Sequence, residues 1–65
     1  MNKDLLRYEM AKKGISVARM EQELGISHKA FWAKCNGRSE FRQSEIAQII
    51  KILELDDAGE IFFGQ

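Results

Sequence analysis

Apolar residues recur along this chain at intervals of three and four residues, the spacing that places them on one face of an α-helix. Three glycines divide the first part of the chain at intervals of eleven and twelve residues: Gly14, Gly25 and Gly37. Segments of that length favour short helices over strands, because glycine commonly ends a helix in the left-handed conformation. The pattern therefore predicts an all-α fold of five short helices.

Serine side chains mark the starts of two of these helices. The first three helices are predicted over residues 3–13, 17–24 and 28–36. Ser16 and Ser27 each follow an isoleucine and precede the second and third helix, where a serine hydroxyl can accept a hydrogen bond from a backbone N–H. The second helix has only about eight residues and cannot be stable alone, so tertiary packing must hold it.

The second half of the chain carries the most apolar stripe. A fourth helix is predicted over residues 44–53, with a stripe that should form the floor of the core: Ile46, Ile49, Ile50 and Leu53. The polar loop 38–43 before it has Phe41 as its one apolar anchor. Asp56 and Asp57 then signal the start of a fifth helix, because carboxylates favour the positive end of a helix. This helix is predicted over residues 57–63.

Length and composition restrict the class of protein. Sixty-five residues, 45% of them hydrophobic, suffice for one compact core, so residues 1–65 are expected to form a single domain. No apolar run approaches the roughly 18 residues that span a membrane, and the polar N-terminus has no signal-peptide core behind it. We therefore expect no membrane partner and a reducing, cytoplasmic setting.

Catalytic chemistry finds no support in the residues. The chain has one cysteine, Cys35, and one histidine, His28, which excludes a disulfide framework and a zinc site built from several such ligands. These two lie about 10 Å apart along one predicted helix, too far for a nucleophile and its base. We expect neither an enzyme nor a cofactor, a metal or a small-molecule substrate.

The charges are distributed unevenly although the net charge is zero. Residues 1–43 hold nine basic and five acidic side chains, a balance of +4, and residues 44–65 hold one basic and five acidic ones, a balance of −4. A basic N-terminal part can face phosphate while the acidic end faces water or another chain.

The third predicted helix carries the residues that suggest a binding surface. Helical spacing places one set opposite Phe31 and Cys35: His28, Lys29, Trp32, Ala33 and Asn36. A lysine can donate to guanine O6 or N7, and an exposed tryptophan beside basic residues often marks a binding surface. The alternatives are an ordinary solvated helix face and a Trp32 folded back over a neighbouring helix.

Basic residues also surround the turn after this helix. Lys34, Arg38 and Arg42 form this cluster, and they fit either phosphate contact or solubility alone.

Two short helices separated by Gly25-Ile26-Ser27 have the spacing of a helix-turn-helix, whose second helix reads the DNA major groove. The wider pattern resembles the Cro and phage-repressor family, also called the xenobiotic-response-element type, on these stretches: Lys13-Gly14-Ile15-Ser16, Leu24-Gly25-Ile26-Ser27, and Phe31 to Asn36-Gly37. The ending, from Ser44-Glu45-Ile46 to Glu60-Ile61-Phe62-Phe63, is similar to that of the short phage-encoded members.

The resemblance implies a compact five-helix, lambda-repressor-like domain with the helix-turn-helix formed by helices 2 and 3. It implies a phage or prophage regulator, most simply a repressor, that acts in the bacterial cytoplasm and binds operator DNA as a homodimer. The implied base readers are Ser27, His28, Lys29, Trp32 and Ala33, and the implied phosphate contacts after them are Lys34, Asn36, Arg38 and Arg42.

Two questions stay open in the sequence. The C-terminal Ile61-Phe62-Phe63 can close the core or supply a dimer interface. In addition, three departures from the family pattern leave room for a fold repurposed as a protein-interaction module with weak or lost DNA binding: Val17, Glu21 and Ala33. Glu21 must reach solvent or find a partner, for which a nearby lysine or arginine is expected.

Overall fold

The computed structural model describes residues 1–57 and 59–62, and in this part of the chain it contains five helices and no strand. The helices are α1 (Lys3–Lys12), α2 (Val17–Leu24), α3 (His28–Cys35), α4 (Gln43–Leu53) and α5 (Gly59–Phe62). The all-α prediction is confirmed. The largest difference in the described residues is at α5, which begins two residues later than predicted.

Local hydrogen bonds explain where α2 and α3 begin and where α2 ends. The Ser16 hydroxyl accepts from the Arg19 backbone N–H at 3.1 Å, and the Ser27 hydroxyl accepts from the Ala30 N–H at the same distance. Both predicted serine caps are therefore confirmed. Gly25 ends α2 with φ of +68°, in the left-handed region that side chains other than glycine rarely adopt. These contacts fix a three-residue connection between the two helices.

Every helix contributes to one hydrophobic core. Among the described residues, the buried hydrophobic side chains are Leu6, Met10, Met20, Phe31, Ile49, Leu53 and Ile61. Helix α2 packs against both α3 and α4, and α5 packs against α1. A backbone hydrogen bond of 2.7 Å from the Asn2 N–H to the Ile61 carbonyl joins the start of α1 to α5. None of the described helices has the length and apolar character needed to cross a bilayer.

Phe41 anchors the loop between α3 and α4, as predicted. Its ring meets that of Phe31 edge to face, with centroids 6.1 Å apart, and meets that of Phe62 in the same way at 5.7 Å. Three aromatic rings thus connect α3, the loop and α5.

The packing also bears on whether Ile61-Phe62-Phe63 closes the core or supplies a dimer interface. Ile61 is 1% exposed and belongs to the core, so its assignment to a dimer interface is corrected: a side chain enclosed by its own chain cannot contact a second one. Phe62 is half-buried against Phe41, and Phe63 lies outside the described residues.

Candidate nucleic-acid interface

One surface of α3 faces away from the core. Phe31 is buried on the inner side, whereas His28, Lys29 and Trp32 are exposed on the outer side. Trp32 is 49% exposed, and it is not among the hydrophobic side chains that pack against the core. Together with Arg38 from the following loop, these residues form a surface that we call the α3 face: His28, Lys29, Trp32 and Arg38.

The Arg38 guanidinium lies over the tryptophan ring of this face. Its guanidinium carbon lies 5.1 Å from the centroid of the Trp32 ring, within the range of a cation–π interaction. The Arg38 backbone N–H donates to the Ala33 carbonyl at 2.9 Å, which ties the loop to the end of α3. The guanidinium carries five N–H donors, so it can donate to an acceptor while it contacts the ring. The arrangement therefore presents a positioned cation beside an exposed aromatic ring.

A hydrogen bond links the face to α2. His28 Nδ1 lies 2.6 Å from Glu21 Oε2. The Glu21 side chain is 14% exposed and that of His28 is 77% exposed. Glu21 was expected to meet a lysine or arginine, and its partner in the structure is instead the first residue of α3. The sequence carried a usable signal for this contact, because only seven residues separate the pair and a turn of three residues joins their helices.

Lys34 is not on the α3 face. Its ammonium lies 2.7 Å from Glu45 Oε1, and only 11% of the Lys34 side chain and 9% of the Glu45 side chain are exposed. The same ammonium donates to the Glu40 carbonyl at 3.3 Å. The phosphate contact predicted for Lys34 is therefore replaced by a structural role, because its charge is held inside the protein between α3 and the start of α4.

The environment of Glu45 fits this role. Burial by itself raises the pKa of the Glu45 carboxyl, but hydrogen bonds from Lys34 and from the Arg42 backbone N–H outweigh burial and hold the pKa below its ordinary value. The Arg42 N–H donates to Glu45 at 2.8 Å at the start of α4, while the Arg42 side chain stays exposed. The Arg42 side chain is therefore accessible to solvent, whereas that of Lys34 is largely buried.

Asn36 is exposed but already engaged through both ends of its amide. Its Nδ2 donates to the Trp32 carbonyl at 2.8 Å, and its Oδ1 accepts from Lys3 at 2.9 Å. The structure does not offer this side chain to phosphate in the way the sequence predicted. It brings Lys3 to the end of α3 instead, which sequence reasoning missed because 33 residues separate the pair.

The remaining predicted base readers contribute small groups. Ser27 is exposed, and its hydroxyl can still donate a hydrogen bond while it accepts one as the cap of α3. Ala33 is half-buried.

Burial raises the pKa of the Cys35 thiol, which disfavours the nucleophilic thiolate. Within residues 1–57 and 59–62 there is no group of three or more His, Cys, Asp or Glu side chains that could hold a metal ion.

None of the family models, curated proteins or solved structures compared with this chain matches it. The chemistry of the α3 face therefore carries the functional argument.

Proposed function

We propose that this protein is a sequence-specific DNA-binding regulator of transcription of the Cro and phage-repressor type, in which α2 and α3 form a helix-turn-helix and α3 enters the major groove. The observation that carries the proposal is the exposed Trp32, which the core does not use and over which the Arg38 guanidinium lies. Large aromatic side chains beside arginine are typical of binding surfaces.

The groups on and around the α3 face match what DNA presents. Lys29 can donate to guanine O6 or N7, and the Trp32 ring offers an apolar surface to a thymine methyl group. Arg38 and Arg42 follow α3 with exposed side chains and can neutralise flanking phosphates, which fixes register without reading sequence. Lys34 and Asn36 are left out of this proposal because they are engaged within the protein.

The mode of action we propose is repression by occlusion, in the bacterial cytoplasm, since occupation of an operator needs nothing beyond DNA binding. One module of this size covers little DNA. We therefore propose a homodimer on a near-palindromic site, with two α3 faces about one helical turn apart.

Fluorescence anisotropy on random-sequence duplex DNA across a salt series tests the proposal. Each phosphate contact contributes about −0.9 to the slope of log affinity against log salt concentration. Arg38→Ala should therefore weaken binding to every sequence and flatten the slope by about 1, whereas Lys29→Ala should relax preference at one or two base positions.

Lys12→Ala is the matched control, because it removes one exposed positive charge outside the α3 face. It should leave the slope close to that of the wild type. Selection from a random pool should then enrich a near-palindrome. Absence of binding at low salt would refute the proposal.

A second candidate is a protein-interaction module that uses the same exposed Trp32. The zero net charge and the internal engagement of Lys34 favour it. Binding to an apolar partner would change little with salt, so the same salt series separates the two functions.

A further inference from the structure

The contact between Glu21 and His28 determines where the histidine carries its proton. A carboxylate can only accept hydrogen bonds, so at a separation of 2.6 Å the proton between the two groups belongs to Nδ1 of His28. A neutral imidazole has one N–H, and the hydrogen bond made by one ring nitrogen fixes the state of the other. Nε2 of the neutral ring is therefore an acceptor.

That acceptor lies on a side chain with access to a ligand. His28 is the first residue of α3, and its side chain is 77% exposed. The ring contacts Glu21 through Nδ1, so the hydrogen bond to Glu21 does not use Nε2. Arg19, a cation on α2, is itself paired with Glu23 at 3.0 Å. Glu21 thus acts on His28 from α2, beneath the surface that we propose to contact DNA.

We propose that Glu21 is a positioning residue for base selection: by keeping the His28 proton on Nδ1, it makes His28 select a base that presents an amino group in the major groove. Adenine N6 and cytosine N4 are such donors, whereas guanine and thymine present acceptors at the corresponding positions. This inference rests on the proposed function and adds a base preference that a His28 free to carry its proton on either ring nitrogen would not give.

Nitrogen chemical shifts of the imidazole test the tautomer without DNA. The spectra are recorded at pH 8. The wild-type spectrum should show His28 with a protonated Nδ1 and an unprotonated Nε2. Glu21→Gln should populate both tautomers, because an amide can either accept from Nδ1 or donate to it. Protonation of Nε2 in the wild type, or unchanged shifts in Glu21→Gln, would overturn the inference.

Glu23→Gln is the matched control on the same helix. It makes the same chemical change two residues away, at a carboxylate that pairs with Arg19 and not with His28. Its imidazole shifts should equal those of the wild type. Far-UV circular dichroism of both variants checks that the helices are retained.

Selection from a random duplex pool at pH 8 tests the base preference. The wild type should favour adenine or cytosine at one position, and Glu21→Gln should reduce that preference by about three- to tenfold, the scale of one hydrogen bond. Each preference is normalised to the binding of the same variant to random DNA. His28→Ala should lose the same preference, and it alters an exposed side chain that the core does not use.

The outcomes separate this inference from the proposed function. If the wild type binds DNA and Glu21→Gln keeps the full preference at that position, the inference is wrong and the proposed function stands. If the wild type binds no DNA at low salt, both fail.

Discussion

Lys34 and Glu45 provide the sharpest test of how this small domain is held together. Their charged groups lie 2.7 Å apart with side chains about nine-tenths buried, and they connect α3 to the start of α4. Lys34→Met keeps an unbranched apolar stem of similar length and removes the charge. The carboxylate of Glu45 would then stay buried with the Arg42 N–H as its remaining donor.

The expected cost is a large part of the total stability. Breaking a buried ion pair by removing one partner costs about 3–5 kcal/mol. We expect about 2–3 kcal/mol, because Glu45 keeps one backbone hydrogen bond and some access to water. A domain of this length has roughly 3–10 kcal/mol in total. At about 4–8 °C per kcal/mol, the melting temperature should fall by about 10–20 °C.

Thermal and urea unfolding followed by circular dichroism at 222 nm measure this effect. Lys29→Met is the matched control, since it makes the same substitution at an exposed position of the same helix and should change stability by less than about 0.5 kcal/mol. The double variant Lys34→Met/Glu45→Gln should recover more than half of the loss, because no unpaired charge remains buried. A Lys34→Met protein within 0.5 kcal/mol of the wild type would refute the reasoning.

Three further predictions concern the fold. Because the folded-state pKa of Glu45 is lowered, its stabilising contribution is complete above the ordinary glutamate value of about 4.3 and is lost as the pH falls through the lowered pKa; acid titration of the melting temperature should show this loss in the wild type and a smaller one in Lys34→Met. Phe41→Ala removes two edge-to-face ring contacts and should cost about 2–3 kcal/mol in urea unfolding, and a loss below 1 kcal/mol would contradict the anchoring role. Gly25→Ala should cost about 1 kcal/mol, because the added Cβ meets no atom within 4 Å and only the left-handed backbone is strained; an equally stable variant would show that the turn had changed conformation.

The elements that the sequence predicts are those determined by near neighbours. The serine caps at Ser16 and Ser27 and the left-handed glycine at Gly25 depend on residues within four positions, so composition and spacing were sufficient. The stripe of α4 was equally readable, because periodicity follows from helix geometry. Ile49 and Leu53 of the predicted stripe are buried, whereas Ile46 and Ile50 are only partly buried.

The candidate site was less predictable where distant residues compete for a side chain. Lys34 lies near the end of the predicted reading helix and in sequence resembles Arg38, a basic residue beside the same turn. Only the packing of α4 shows that its charge is buried against Glu45, eleven residues away. The role of Ile61, in the core or in a dimer interface, was ambiguous for the same reason. Packing against α1, at the other end of the chain, determines which apolar side chain of α5 turns inward.

The hydrogen bond between Asn2 and Ile61 bears on the order in which the protein folds. It closes a ring of chain that includes nearly all of the described residues. Since the entropy lost on closing a loop grows with its length, this contact is among the costliest to form early. We expect α2, α3 and α4 to assemble first and α5 to dock onto α1 afterwards. Loosening that junction should then accelerate unfolding while leaving the folding rate nearly unchanged.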